Sequence, residues 1–276
     1  MKAEKILFIA QEINPYVPES QITTLGHDLP MLVLDDNRDI RAFMPKWGNI
    51  NERRNQLHEV IRLSGMNIII NDTDHQIIIK VASIVGTRMQ VYFIDNEDFF
   101  GKRLGELDRE GNEYADNIER AAFYARGVLE TVKKQRWTPD VVHCQGWIAS
   151  LVPIYLKTAY ADEPSFRDCK VVFTVADNQL TKPTGDDFAD ILHYRTAGAD
   201  SFRDEFGTSL TPQELMKLAI RYSDGVTFVG KQPKDELIAY ARKREIPILE
   251  ENADVNSHVR FIDEVWNNGR AVKIEE

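Results

Sequence analysis

Lys5-Ile6-Leu7-Phe8-Ile9-Ala10, running straight into Gln11-Glu12, is the stretch on which the fold turns. Its apolar residues follow one another without polar alternation, so no face of the segment is left for water. That pattern fits a strand covered on both sides, as at the centre of a parallel sheet. The run is too short for a secretory signal core, and neither it nor any other run approaches the roughly 20 apolar residues that span a bilayer. Residues 40–44, closed by Pro45, read as a second strand of the same kind. The interval leaves room for a crossover helix over residues 20–34, which Pro30 is expected to kink or break.

Farther along, the period changes. Glu59-Val60-Ile61-Arg62-Leu63, Asn67-Ile68-Ile69-Ile70, Gln76-Ile77-Ile78-Ile79-Lys80-Val81 and Met89-Gln90-Val91-Tyr92-Phe93-Ile94 are β-branched runs divided by short polar turns. They predict a β-rich antiparallel excursion over residues 57–88 whose last strand rejoins the main sheet. Residues 112–135 carry apolar side chains at helical spacing, with Phe123, Val128 and Leu129 inward. Strand and helix then alternate: 140–143 and 149–160, 169–175, 212–222, 225–229 and 233–244. Alternation of this kind builds right-handed βαβ units and gathers the strand C-termini on one edge, where open α/β sheets bind ligands. The fold class is therefore α/β, a Rossmann-like, doubly wound, mostly parallel sheet with an antiparallel excursion. Residues 177–209, polar and rich in Asp, Gly and Thr, predict a long loop region over the ligand edge. No domain linker or internal repeat divides residues 1–276, which predicts a single domain.

Composition narrows the function. The 276 residues are 43% hydrophobic and 28% charged, an ordinary globular balance. With 34 Lys and Arg against 44 Asp and Glu, the net charge of -10 argues against a nucleic-acid partner, which needs a dense basic face. Cys144 and Cys169 are too few for a disulfide framework or a thiolate zinc site and read as buried, inert thiols. The sequence holds no G-x-G-x-x-G after a strand, no G-x-x-x-x-G-K-[ST], no H-E-x-x-H and no G-x-S-x-G, so the recognisable dinucleotide, nucleoside triphosphate, zinc peptidase and serine hydrolase chemistries are missing. These readings predict a cytoplasmic chain with no membrane partner, no metal and no cofactor.

The candidate site residues are the polar groups expected at strand C-termini: Gln11, Glu12 and Asn14, then Asp95 and Asn96, His143, and Asp177 and Asn178. Each also has a plainer role as a cap or turn residue, and His143 as a core histidine bonded to a carbonyl. Glu12 is the hardest to dismiss, because a carboxylate leaving a buried strand needs a partner or water. Trp47 and Trp147 could offer an aromatic face to a sugar ring, although Trp147, on the helix side of its unit, fits a core position.

The segments in order resemble the N-terminal half of bacterial glycogen and starch synthases. The matching pieces are residues 5–12 followed by Pro15, residues 41–45, Val91-Tyr92-Phe93-Ile94-Asp95, Tyr114-Ala115-Asp116-Asn117-Ile118-Glu119-Arg120 and Trp137-Thr138-Pro139-Asp140-Val141-Val142-His143. Trp147, Leu151, Val152, Pro153, Tyr155-Leu156-Lys157 and Val171-Val172-Phe173-Thr174-Val175 complete the series. The resemblance implies one half of a GT-B glycosyltransferase, and transfer of glucose from ADP-glucose to an α-1,4-glucan. It implies Glu12, Asp116 and His143 as catalytic candidates, and Glu12, Tyr16, Asp116, Asn117, His143, Gln145 and Trp147 as substrate-binding candidates. It also implies a C-terminal nucleotide-sugar domain beyond this stretch, absent from these residues, so that a complementary chain or a homo-oligomer would complete the cleft.

The departures fall at functional positions. Where such synthases carry Lys-x-Gly-Gly after the first strand, this sequence reads Pro18-Glu19-Ser20-Gln21. Their His-x-His-Asp-Trp reads His143-Cys144-Gln145-Gly146-Trp147, and their His-Asn after the Phe-Thr-Val strand reads Ala176-Asp177. A proline supplies neither ammonium nor N–H, Glu19 adds negative charge, and side chains fill the backbone approach that glycines leave open. The expectation is either a synthase completed by a partner or a catalytically degenerate module that binds α-glucan or a partner enzyme.

Overall fold

The computed structural model describes residues 1–177, 180–231, 234–249 and 253–268. The segment around Phe8 forms β1 (Lys5–Ile9), and Ile6, Leu7, Phe8 and Ile9 are all buried, as a strand covered on both faces requires. It lies between β2 (Asp39–Pro45) and β8 (Val141–Gln145), parallel to both; Phe8 sits opposite Ala42 on one side and His143 on the other. With β3 (His58–Glu59), β6 (Ile78–Ser83), β7 (Gln90–Asp95), β9 (Lys170–Val175) and β10 (Gly225–Phe228), the sheet has eight strands in the order β10-β9-β8-β1-β2-β7-β6-β3. The six strands from β10 to β7 are parallel, whereas β6 and β3 join antiparallel. The chain winds outward from β1 in one direction to β7 and then in the other to β10. The order therefore reverses between β1 and β8, and the crevice at that reversal is where ligands bind in doubly wound sheets.

Helices cover the sheet. On one side α1 (Gln21–Asp35) packs against α8 (Val255–Asn267); the other helices are α2 (Asn117–Lys134), α3 (Val152–Lys157), α4 (Phe188–Leu192), α5 (Arg203–Phe206), α6 (Pro212–Arg221) and α7 (Asp235–Lys243). Against expectation, α1 passes through Pro30 without ending. Leu25, Leu29 and Val33 form a buried stripe on both sides of the proline, so packing outweighs the missing N–H bond.

The excursion also differs in detail. Of the run from Glu59 to Leu63, only its start joins β6: Glu59, next to His58, pairs with Lys80, and the Val60 N–H reaches the Ile79 carbonyl (2.7 Å); the Leu63 N–H then turns back to the Val60 carbonyl (2.8 Å), and Ile61 points into solvent. The run 76–81 divides at Ile77, because β5 (Thr73–Gln76) pairs with β4 (Asn67–Ile70) in a separate hairpin while β6 pairs with β7. Asn71 and Asp72 close that hairpin with positive φ, a turn suited to these residues. The predicted helix over 149–160 is shortened to α3 after a 3-10 turn at Trp147–Ala149. Residues 180–209 are more ordered than a polar loop. They hold α4 and α5, and α4 packs on α2 through buried Phe188, Ile191 and Leu192. No helix among the described residues is long and apolar enough to cross a membrane.

Candidate functional site: the cleft at the sheet reversal

The parallel strands deliver their C-termini to one edge. Gln11 and Glu12 follow β1, Trp47 follows β2, Gly146 and Trp147 follow β8, Asp177 follows β9, and Gly230 and Lys231 follow β10. A cleft of about 430 Å³ opens there, lined by Glu12, Pro18, Glu19, Ser20, Asp177 and Lys231 among others.

Glu12 is half-buried in this cleft, and its carboxyl is pushed up from 4.5 to about 7, first by burial and then by the negative charge of Glu106. Ser20 caps α1: its hydroxyl accepts from the Thr23 N–H (3.3 Å), and the Thr23 hydroxyl accepts from the Ser20 N–H (2.7 Å). The helix thus begins with its end capped from within and with no basic residue in its first turn. Its approach to the strand is close, since a Cβ at Gly26 would lie 2.4 Å from the Glu12 carbonyl oxygen. Across the cleft an Asp177 oxygen accepts from the Lys231 N–H (2.6 Å). Gly230 has φ +103°, and a Cβ there would lie 2.1 Å from the Asp177 carboxyl. Lys234, nearly buried, donates to the Val229 carbonyl (2.9 Å) and lies 3.6 Å from Asp177.

A second cluster is built around Arg120. This guanidinium is buried beneath the rings of Trp47, Phe100, Tyr114 and Trp147, and it donates to Phe99 O (3.0 Å), Gly105 O (2.7 Å) and Asn117 Oδ1 (2.7 Å). Burial and then Arg103 lower its pKa to about 10. Asn117 is held by Arg120 and by the Glu106 carbonyl (3.0 Å), and Asp116 is ion-paired with Arg103. Glu106 connects the two clusters, acting electrostatically on both Glu12 and Arg120.

The remaining candidates lie inside the fold. His143 sits in mid-strand and not at a strand end, because Cys144 and Gln145 continue the pairing with Phe173 and Thr174. Its Nε2 meets the Thr174 hydroxyl (2.9 Å), which in turn meets that of Thr227 (2.7 Å). Burial lowers its pKa to about 3, so the ring is neutral at neutral pH and not poised as an acid. Gln145 donates to the Ile22 carbonyl (2.7 Å), tying β8 to the start of α1. Tyr16 packs edge-on against Phe93 at 4.8 Å, and its hydroxyl, without a partner among the described residues, is pushed up to about 12 by burial. Trp47 donates from Nε1 to the Gln11 carbonyl (2.9 Å), and Trp147 is 1% exposed, so neither indole presents a face to a sugar. Gln11 accepts from the Trp147 N–H (3.1 Å). Asp95 pairs with Lys80 (2.7 Å), and Asn96 caps the π-helical turn Glu97–Gly101, so both serve structure. Asn178 lies outside the described residues. No group of three or more metal-ligating side chains occurs among them.

Sequence reasoning missed Arg120, Arg103, Glu106 and Lys231 as parts of this region. Arg120 carried a signal: it stands three and four residues before Phe123 and Tyr124, on the buried stripe of α2.

The strand order and the crevice at its reversal define a Rossmann-like α/β half of the GT-B kind. The family model of the starch synthase catalytic domain matches residues 5–246, and the chain belongs to that family. It is 36% identical to the glycogen synthase of Chlorobium phaeobacteroides over 173 residues, which are 62% of this chain and 35% of that protein. The glycogen synthase of Chlorobaculum tepidum is 35% identical over the same shares. The matched stretch is thus about a third of the length of these curated relatives. Among solved structures, the catalytic domain of Starch Synthase IV from Arabidopsis thaliana, bound to ADP and acarbose, superposes with a TM-score of 0.68 over 91% of this chain and 52% of that one, at 16% identity.

Proposed function

We propose that this chain supplies the glucan-facing half of a glycogen or starch synthase-type cleft, and that it binds an uncharged α-glucan without itself gripping the diphosphate of ADP-glucose. The observation that carries this reading is the charge lining the cleft. Glu12, Glu19 and Asp177 face it against Lys231, and Pro18 stands where the family resemblance calls for a lysine. A diphosphate entering such a cleft meets carboxylates where phosphate sites place cations and open N–H groups. Carboxylates instead suit sugar hydroxyls, which donate to them. In this reading Glu12, rising to about 7, holds its proton over part of the neutral range and can donate to a glucan oxygen as well as accept.

Affinity electrophoresis in glycogen-containing gels, paired with calorimetric titration of ADP-glucose, tests the proposal. Retarded migration with no heat from the sugar nucleotide is expected. Tight, stoichiometric uptake of ADP-glucose would overturn it.

Membership in the family favours a second reading, in which the same cleft transfers glucose from ADP-glucose once a complementary chain or a second copy completes it. Asp116 and Glu12 would then face the acceptor, with electrostatic stabilisation supplied from the other side. A radiolabelled glucosyl-transfer assay with and without candidate partners separates the two; incorporation in any mixture favours the second.

A further inference from the structure

A separate cleft of about 520 Å³ lies beside α2, bounded by the β4–β5 hairpin and the segment after α4, and it shares no lining residue with the cleft of Glu12. Its floor is Arg126, a residue 5% exposed. Other buried guanidinium groups among the described residues have more partners. Arg38 is paired with Asp263 and Asp36, and Arg120, with only its Nη2 unbonded, has three acceptors and four rings. Arg126 has fewer. Among the described residues its guanidinium donates from Nη1 to the Ile69 carbonyl and lies 3.9 Å over the Tyr194 ring, while its Nε finds no acceptor. The carboxylate one turn along, Glu130, is engaged by Lys133 (3.2 Å) and by the Tyr160 hydroxyl (2.7 Å). A buried charge with so little compensation is costly, and an anion from solution relieves that cost.

The rim fits such an anion. Arg195 reaches over the same Tyr194 ring, 5.2 Å from its centroid, and His193 adds a second nitrogen group on the same wall. Arg195 holds φ at +54°, in a tight turn closed by the Tyr194 and Ala197 backbones, a position that favours glycine. Asp72 on the hairpin and Asp190 on α4 also line the cleft, carboxylates suited to hydroxyl donors and not to phosphate. We propose that this cleft binds a phosphomonoester carried on a sugar, with Arg126 and Arg195 taking the phosphate and Asp72 and Asp190 the sugar hydroxyls. The phosphate could arrive on a free hexose phosphate or on a phosphorylated glucan chain; the chemistry recognised is the same.

Calorimetry and thermal unfolding of the full chain test this with glucose 6-phosphate, glucose 1-phosphate, a phosphorylated maltooligosaccharide, inorganic phosphate, glucose and maltoheptaose. At least one phosphorylated sugar is expected to bind saturably and raise Tm, with glucose and maltoheptaose giving no Arg195-dependent effect. The tighter of the free and chain-borne probes identifies the source. Arg195→Gly removes a guanidinium while placing glycine where φ favours it, so the variant should fold at least as well as the parent and bind roughly tenfold to a hundredfold more weakly. Arg126→Gln should lose binding as well. The proposal is overturned if no phosphorylated sugar binds, if binding survives Arg195→Gly unchanged, if inorganic phosphate binds as tightly as the sugar phosphates, or if maltoheptaose binds in an Arg195-dependent way.

Discussion

Replacing Glu12 by Gln keeps the shape of the side chain and removes its charge, so it isolates what burial does to this carboxyl. The folded state holds the Glu12 proton up to about pH 7, and the unfolded chain releases it near 4.5. Because the folded pKa is the higher, the contribution of Glu12 to stability is fully present below pH 4.5, declines as pH rises, and is lost above about 7. At about 1.4 kcal/mol per tenfold, the interval corresponds to about 3 kcal/mol, an upper bound for a group that keeps some contact with water. Glu12→Gln does not titrate and escapes this loss. Urea unfolding of both proteins from pH 4.5 to 8 should show the variant gaining on the parent by about 1–3 kcal/mol across that window, with the gain level above pH 7.5. A stability difference that stays flat from pH 4.5 to 8, or a variant that falls behind as pH rises, would refute the buried, Glu106-facing environment assigned to this carboxyl.

Arg120→Met should cost about 3–5 kcal/mol in urea unfolding, because Phe99 O, Gly105 O and Asn117 Oδ1 lose their donor inside the protein; a loss under about 1 kcal/mol contradicts the cluster as described. Gly230→Ala forces a Cβ toward the Asp177 carboxyl at a positive φ, and thermal melts should show about 1–3 kcal/mol of destabilisation; a neutral result would mean that Gly230 and Asp177 do not approach as described. Cys144 and Cys169 should both resist a thiol reagent at pH 8 and react only in denaturant, since burial holds Cys144 well above its ordinary value and pushes Cys169 up to about 12.

Much of the fold was legible because its strands are covered on both faces. Ile6-Leu7-Phe8-Ile9 admits no wet side, and the recurrence of such runs between helical segments fixes the winding of the sheet. What the pattern did not encode is the choice of hydrogen-bond partner. Ile77 and Ile78 look alike in sequence, yet the chain changes sheets between them. Polar residues hid strand ends for a related reason: Gln145 interrupts the apolar run, but its side chain bonds the Ile22 carbonyl and is buried all the same. Whether Trp47 offers a ring to a sugar or seals the core turned on whether its Nε1 found an acceptor, and the Gln11 carbonyl 36 residues earlier is such an acceptor. The family resemblance drew attention to residues 114–120, but the role of Arg120 in holding Asn117 emerges only when the loop carrying Gly105 is brought beside the helix.

The altered loop positions are not vacant in the fold, and this bears on how the cleft can have changed without loss of the sheet. Ser20, where a glycine of the family pattern would stand, caps α1 through a reciprocal pair of bonds with Thr23. Asp177, in place of an amide, accepts the Lys231 N–H and lies against the side of Gly230 that has no Cβ. Each substitution therefore contributes a local contact at the edge while withdrawing a group suited to phosphate. The core strands carry the same apolar residues whichever ligand the edge receives, so stability places little constraint on the chemistry of these loops. Glu12 is different, because its raised pKa is a cost to the folded state that builds up between pH 4.5 and about 7, and both of its causes, burial and the charge of Glu106, disfavour the carboxylate. On the proposed reading, a glucan hydroxyl that exchanges a hydrogen bond with this carboxyl would offset that cost in the complex, which ties the pH dependence of Glu12 to the ligand test.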